Sequence, residues 1–227
     1  MPHLILFDID GTLVKGNKAH LEAFNYVFRE IFGVKDADIE EIEHHGLTDE
    51  LIIRIIMKRH GIRPKEIDEK INEVKTNMIK YYQLKLPEFP VSIVPGTRTF
   101  LEEIKEEAVL GLITGNLKDI ARIKLNSVDL WDYFSVGGFG SENTERFRLI
   151  EYAIKRAVKL KDVKFNKNEI IIFGDTPRDI GAAKKLNLNV IGIASGKYSE
   201  NALKDAGAKY VYRDFSEISR IREDLSI

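Results

Sequence analysis

The stretch His3-Leu4-Ile5-Leu6-Phe7-Asp8-Ile9-Asp10-Gly11-Thr12 decides the fold. A short, almost wholly apolar run closed by carboxylates and a glycine reads as a strand buried on both faces that stops at a turn, and such strands sit in the middle of a sheet. Four similar runs follow: Val109 to Ile113, ending at Thr114-Gly115; Phe134 to Val136, ending at Gly137-Gly138; Ile170 to Phe173, ending at Gly174-Asp175; and Val190 to Ile193, ending at Ala194-Ser195. A shorter one spans Tyr210 to Tyr212. Helical patterns lie between most of them, over Arg98 to Glu107, Leu117 to Asn126, Thr144 to Lys159, Pro177 to Leu186 and Ser199 to Ala206. Strands alternating with helices predict an α/β protein with a doubly wound parallel sheet.

The segment from Asn17 to Leu86 breaks this alternation. It contains no strand pattern. Leu21, Phe24, Val27, Phe28, Ile31 and Phe32 fall on one helical stripe, and Leu51, Ile52, Ile55 and Ile56 on another. Pro87, Pro90 and Pro95 then return the chain to the sheet. The expected organisation is a core of residues 1–15 and 88–227 with an all-helical insert, residues 16–87, and the crossings near 14 to 17 and 85 to 92 are candidate hinges.

Composition excludes several classes of function. The 227 residues carry 35 Lys and Arg against 36 Asp and Glu, a net charge of -1 that offers no basic field to a nucleic acid or a membrane surface. Cysteine is absent, so disulfides, thiolate metal sites and Cys nucleophiles are excluded, and any metal must sit on oxygen or imidazole. No apolar run approaches the roughly 18 residues of a membrane span, and Asp8 interrupts the first apolar run too early for a signal segment. A cytoplasmic protein is expected, either monomer or homodimer, with no nucleic-acid or membrane partner.

In an open parallel sheet, ligands bind beyond the carboxyl ends of the strands where strand order reverses. Here those ends are polar: Asp8 and Asp10 after the first strand, Thr114-Gly115-Asn116 after the second, and Gly174-Asp175-Thr176-Pro177-Arg178-Asp179 after the fourth. Carboxylates brought that close repel one another unless a cation lies between them, and a hard, oxygen-seeking ion such as Mg²⁺ suits that role. The Thr114 hydroxyl and the amides around Gly115 and Asn116, at the start of a helix, offer an anion site. A metal, carboxylates and an anion-binding turn together point to phosphoryl chemistry. A calcium loop is the poorer reading of Asp8 to Gly11, because Thr12 and Leu13 stand where it needs a third carboxylate and a glycine. Asp175 has a structural alternative as the cap of the helix that starts at Pro177.

Asp8-Ile9-Asp10-Gly11-Thr12 resembles motif I of the haloacid dehalogenase superfamily, Thr114 its motif II, and Gly174-Asp175-Thr176 with Asp179 its motif IV. The helical insert lies where that superfamily carries a C1 cap, as in phosphoglycolate-phosphatase-like members. The resemblance implies a Rossmann-like core and a phosphatase acting on small phosphate esters. It implies that Asp8 attacks phosphorus and that Asp10 protonates the leaving oxygen and then activates water. It further implies Mg²⁺ held by Asp8, Asp175 and the backbone carbonyl of Asp10, with Asp179 supporting the ion.

One motif departs from the pattern. The stretch Ser141 to Arg148 lacks the usual lysine of motif III, and Arg146, or failing it Arg148, is the candidate to bridge carboxylate and phosphate. In the insert, His44-His45-Gly46-Leu47-Thr48-Asp49 resembles a cap loop that reaches towards substrate, which makes His45, Thr48 and Asp49 candidate contacts, and His20 falls where a contact between cap and core is expected. The same residues would serve a phosphoglucomutase-like phosphotransferase, and a non-catalytic binding scaffold is a third reading.

Overall fold

The structure, a computed structural model, describes residues 3–225. Six parallel strands form the central sheet: β1 (His3–Phe7), β4 (Ala108–Thr114), β5 (Val136–Phe139), β6 (Ile170–Gly174), β7 (Asn189–Ile193) and β8 (Tyr210–Tyr212). Between the first two of these lie β2 (Val14–Lys15), the helices α1 (Lys18–Phe32), α2 (Asp49–Arg59) and α3 (Pro64–Lys85), then β3 (Ser92–Ile93) and α4 (Thr97–Ile104). The remaining crossovers are α5 (Lys118–Asn126), α6 (Arg146–Lys161), α7 (Pro177–Lys185) and α8 (Glu200–Ala206), and α9 (Ile218–Leu225) follows the last strand.

The strand order is β5-β4-β1-β6-β7-β8, so the chain winds outward on one side of β1 and then on the other. The first strand is therefore central, and its two faces feed two cores. Ile5 and Phe7 pack with Phe100, Leu101 and Ile120 from α4 and α5, whereas Leu4 and Leu6 pack with Ile150, Ala153 and Ile180 from α6 and α7. This is the period-2 consequence of a strand with no solvent face. Phe7 stacks on Phe173 of β6 with ring centroids 5.0 Å apart.

The helical segment closes on itself. Phe24, Val27 and Phe28 of α1 pack with Ile53 and Ile56 of α2 and with Val74 and Met78 of α3. Gly33, at φ 75, ends α1, with its own amide bonded to the Arg29 carbonyl and the Val34 amide to Phe28. Pro64 opens α3 at its first turn, where a missing amide costs nothing.

Three features depart from the expected elements. Both chain crossings are extended and pair with each other: β2 and β3 form an antiparallel ribbon, Val14 opposite Ile93 and Lys15 opposite Ser92. Two-residue strands leave no readable periodicity. The strand expected over Phe134 to Val136 runs instead over Val136–Phe139. Gly137 and Gly138 are strand residues rather than a stop, because a Cβ on Gly138 would lie 2.0 Å from the Leu149 carbonyl of α6. Helix α9 was not anticipated.

Candidate active site

The loops after β1, β4 and β6, the three central strands, meet at one end of the sheet. Asp8, Asp175 and Asp179 converge there, all buried, with ligating oxygens within 4.8 Å of one another. Asp8 is fixed by its amide, which donates to the Phe173 carbonyl at 2.9 Å. Helix α7 is capped by Thr176, not by Asp175: the Thr176 hydroxyl and the Asp179 side chain form a reciprocal box, with the Thr176 amide 3.0 Å from Asp179 Oδ2. Asp175 is thereby free of the helix. Its Oδ1 is buried with no hydrogen-bond partner.

Arg146 is the buried cation of the cluster. Its Nη2 donates to Asp8 Oδ1 and its Nε to Asp179 Oδ1, so one guanidinium spans two carboxylates. Arg148 points elsewhere, exposed and paired with Glu151 at 2.8 Å. Burial pushes the Asp8 carboxyl up to about 7, against the opposing pull of Arg146 and with help from Asp179 and Asp10. Burial, then Asp8 and Asp179, also raise Asp175 well above the usual carboxylate range. One arginine does not neutralise three carboxylates, and an unpartnered buried oxygen in an all-oxygen cluster is what a hard divalent cation satisfies.

Asp10 lies outside that cluster, with its side chain turned towards α5. Lys124 Nζ donates to its two oxygens at 2.7 and 2.8 Å, and Asn116 Nδ2 donates at 2.9 Å, while Lys124 also donates to Asn116 Oδ1 at 2.8 Å. Burial opposes ionisation of Asp10, but the Lys124 ammonium, His20 and the two hydrogen-bonding partners outweigh it and hold the pKa below the usual range. Lys124 is wholly buried and escaped the sequence reading. A signal was there: it falls on the stripe of Ile120, Ala121 and Leu125, where a lysine has no place unless paired.

The expected anion turn after β4 is partly used by the chain itself. Thr114 is buried, and its Oγ1 accepts the Asn116 amide at 3.2 Å. The Leu117 amide, at the start of α5, donates to the carboxylate of Asp49 at 2.7 Å, and the Asp49 amide donates to the Gly115 carbonyl at 2.8 Å. So close is this approach that a Cβ on Gly115 would sit 2.1 Å from the Leu47 carbonyl. Asp49 also bonds His20 Nε2 at 3.2 Å, a contact inside the helical segment, so the bond of His20 is to its own segment and Asp49 makes the link to the loop after β4. The Thr48 hydroxyl reaches the Thr144 carbonyl only at 3.5 Å. His45 stacks on His44 and bonds Glu43 at 2.9 Å, and its carbonyl accepts from Arg178 at 2.5 Å.

A cavity of about 90 Å³ opens between these layers, lined by Asp8, Asp10, Thr114, Gly115, Asn116, Arg146 and Asp175 on one side and by the helical segment on the other. Of the sequence candidates, His20, His45 and Asp49 also line it; Thr48 and Asp179 do not.

A family model described as "Haloacid dehalogenase-like hydrolase" matches residues 5–193, and the chain belongs to that family. Its relatives include a protein named "Putative pyrophosphatase PpaX" from Caldanaerobacter subterraneus subsp. tengcongensis, 23% identical over 218 residues that cover 96% of this chain and 93% of that one. A phosphoglycolate phosphatase from Rhodospirillum rubrum is 25% identical over 224 residues, covering 96% and 90%. The crystal structure of a hydrolase from Pseudomonas syringae superposes with a TM-score of 0.75 at 20% identity over 98% of each chain, a likeness of fold.

Proposed function

We propose that the protein is a Mg²⁺-dependent phosphatase that hydrolyses small phosphomonoesters through a phosphorylated Asp8. The observation that carries this reading is the pairing of Asp8 with Arg146 beside the unpartnered Asp175 oxygen, at the end of the sheet where α/β proteins bind ligands. Membership of the hydrolase family and the phosphatase names of two relatives support it.

In this reading Asp8 attacks phosphorus, the bond from phosphorus to the ester oxygen breaks, and Asp10, ionised in the free enzyme and protonated as the phosphate monoanion binds and gives up its proton, passes that proton to the departing alcohol. Asp10 then takes a proton from water as that water attacks the acyl phosphate, which releases inorganic phosphate and regenerates Asp8. Arg146 keeps Asp8 oriented and faces the phosphoryl oxygens with a fixed positive charge, and the Thr114 hydroxyl and the amides near Gly115 and Asn116 complete the phosphate pocket. Asp8, Asp175 and the Asp10 carbonyl would hold Mg²⁺, with Asp179 behind them. The ion would neutralise the carboxylates and polarise the phosphoryl group. Residues 16–87 act as a cap that limits substrate size and excludes water, and 1–15 with 88–227 as the catalytic core.

The test is release of inorganic phosphate from p-nitrophenyl phosphate and a panel of small monoesters, with Mg²⁺ and with EDTA, in wild type and Asp8→Asn. Metal-dependent turnover lost in the variant, with phosphate trapped on the peptide containing Asp8 in acid-quenched wild type, is the expected result. Turnover that survives Asp8→Asn defeats the reading.

A further inference from the structure

The substrate's far end meets the helical segment, and the chemistry of that wall is legible. Leu21, Phe24, Ile39 and Ile52 present hydrocarbon to the cavity. Among the described residues that line it, Arg146 is the only lysine or arginine, and it is committed to Asp8 and Asp179 at the phosphoryl end. The other charges on the helical side do not favour an anion. His20 is held by the Asp49 carboxylate, and His45 by Glu43. Two cations beside the Glu43–His45 turn are also engaged: Lys197 bonds Glu43 at 2.6 Å and Arg178 bonds the His45 carbonyl.

One polar group on this wall has capacity to spare. His44 is 8% exposed and lines the cavity, and its Nε2 makes no hydrogen bond, the exposed Glu40 carboxylate standing off at 3.5 Å. Burial, then the neighbouring His45, lowers its pKa, so the ring sits there as neutral imidazole. A neutral imidazole offers one donor and one acceptor, so it can exchange hydrogen bonds with a hydroxyl but brings no positive charge to balance a carboxylate.

Resting on the phosphatase reading, we infer that the preferred substrates are monophosphates of compact, uncharged alcohols with a hydrocarbon face and a further hydroxyl, as in short polyol phosphates. A second anion, whether the carboxylate of phosphoglycolate or the second phosphate of pyrophosphate or a sugar bisphosphate, would be stripped of water against Phe24 and Ile52 with no lysine or arginine among the described residues of that wall to receive it. The preference therefore differs from the substrates named for the two relatives.

Matched pairs test this directly. With Mg²⁺, kcat/KM is measured for 2-hydroxyethyl phosphate against 2-phosphoglycolate, and for glycerol 1-phosphate against 3-phosphoglycerate, with pyrophosphate alongside. The uncharged member of each pair is expected to lead by about tenfold or more, and pyrophosphate to trail both. Leu21→Lys, which places an ammonium on the wall, should shrink each ratio or invert it, while Leu21→Met should leave the ratios where they are. Equal or higher kcat/KM for the acids or for pyrophosphate in wild type overturns the inference and leaves the phosphatase reading standing. Absence of phosphate release from every ester, p-nitrophenyl phosphate included, overturns both.

Discussion

Lys124 Nζ lies 2.7 and 2.8 Å from the two carboxylate oxygens of Asp10, a partly buried ion pair that joins α5 to the loop after the first strand. The pair fixes where Asp10 points and favours its charged form. Removing the ammonium leaves a carboxylate that is harder to ionise and freer to rotate. Lys124→Met is expected to lower kcat by about 10- to 100-fold with a smaller change in KM. Phosphorylated Asp8 should accumulate in quenched-flow samples, because the ionised form of Asp10 is the one that accepts a proton from water. Unchanged kcat with no accumulation would show that Lys124 serves only packing.

Arg146 holds two acids at once, so its removal strands both. Arg146→Met should cost about 3–5 kcal/mol of stability in EDTA, as expected when one partner of a buried ion pair is lost. A saturating divalent cation should recover part of that loss by screening the same carboxylates. Arg146→Lys keeps the charge but not the fork, and should fold nearly as well as wild type with kcat depressed at least tenfold. Chemical denaturation with and without Mg²⁺, beside steady-state kinetics, reads all of these effects.

The raised pKa values of Asp8 and Asp175 set a pH dependence whose sign is opposite to that of ordinary surface carboxylates. In the unfolded chain Asp8 ionises near its usual 3.8, but in the folded protein it ionises only near about 7. The folded state therefore binds the proton more tightly. That contribution to stability is fully present below about pH 4 and is lost as pH rises through about 7. In EDTA, the melting temperature of Asp8→Asn minus that of wild type should grow between pH 5 and pH 8, and the stabilisation of wild type by Mg²⁺ should grow over the same interval. A difference that stays flat in both experiments would mean that the cluster carries no excess proton affinity.

Asp49 is the point at which the helical segment grips the sheet. Asp49→Ala deprives the Leu117 amide and His20 of their shared acceptor. It should cost about 1–3 kcal/mol, since buried donors are left without partners. Limited proteolysis in the 44–49 loop should accelerate, and KM should rise more than kcat falls if the loop closes over substrate.

The layout of the sheet was legible because each central strand advertises itself: Leu4 to Phe7 and Ile170 to Phe173 are apolar on both faces, and burial on both faces leaves little else for such runs to be. Asp8 and Asp175 were legible for the same reason, as acids at the ends of such strands, and Asp179 as an acid in the first turn of the helix that follows. Local pattern is blind to what only distance in sequence creates. The β2–β3 ribbon pairs residues on either side of the whole helical segment. Gly137-Gly138 resembled a turn because the closeness of α6 that requires glycine belongs to tertiary packing. Lys124 was passed over because its partner Asp10 lies far away in the chain. The choice of Arg146 over Arg148 rested on chemistry alone until α6 took shape and turned one inward and the other to solvent.

The central position of β1 has a consequence for how the chain comes into being. His3–Phe7 is made before both of its neighbours, β4 and β6, and Leu4 faces Ile170. At a synthesis rate of about 5–20 residues per second, the first strand waits on the order of ten to thirty seconds for that second partner. The helical segment and the pairings between successive strands such as β6 and β7 can form early, but both pairings of β1 cross great stretches of chain and must form late. Asp8 is thus made well before the strand that places it, so a nascent or truncated chain that ends before Phe173 lacks the backbone carbonyl that positions it. Until β6 is made, β1 keeps one edge of an apolar strand unpaired and in need of shelter.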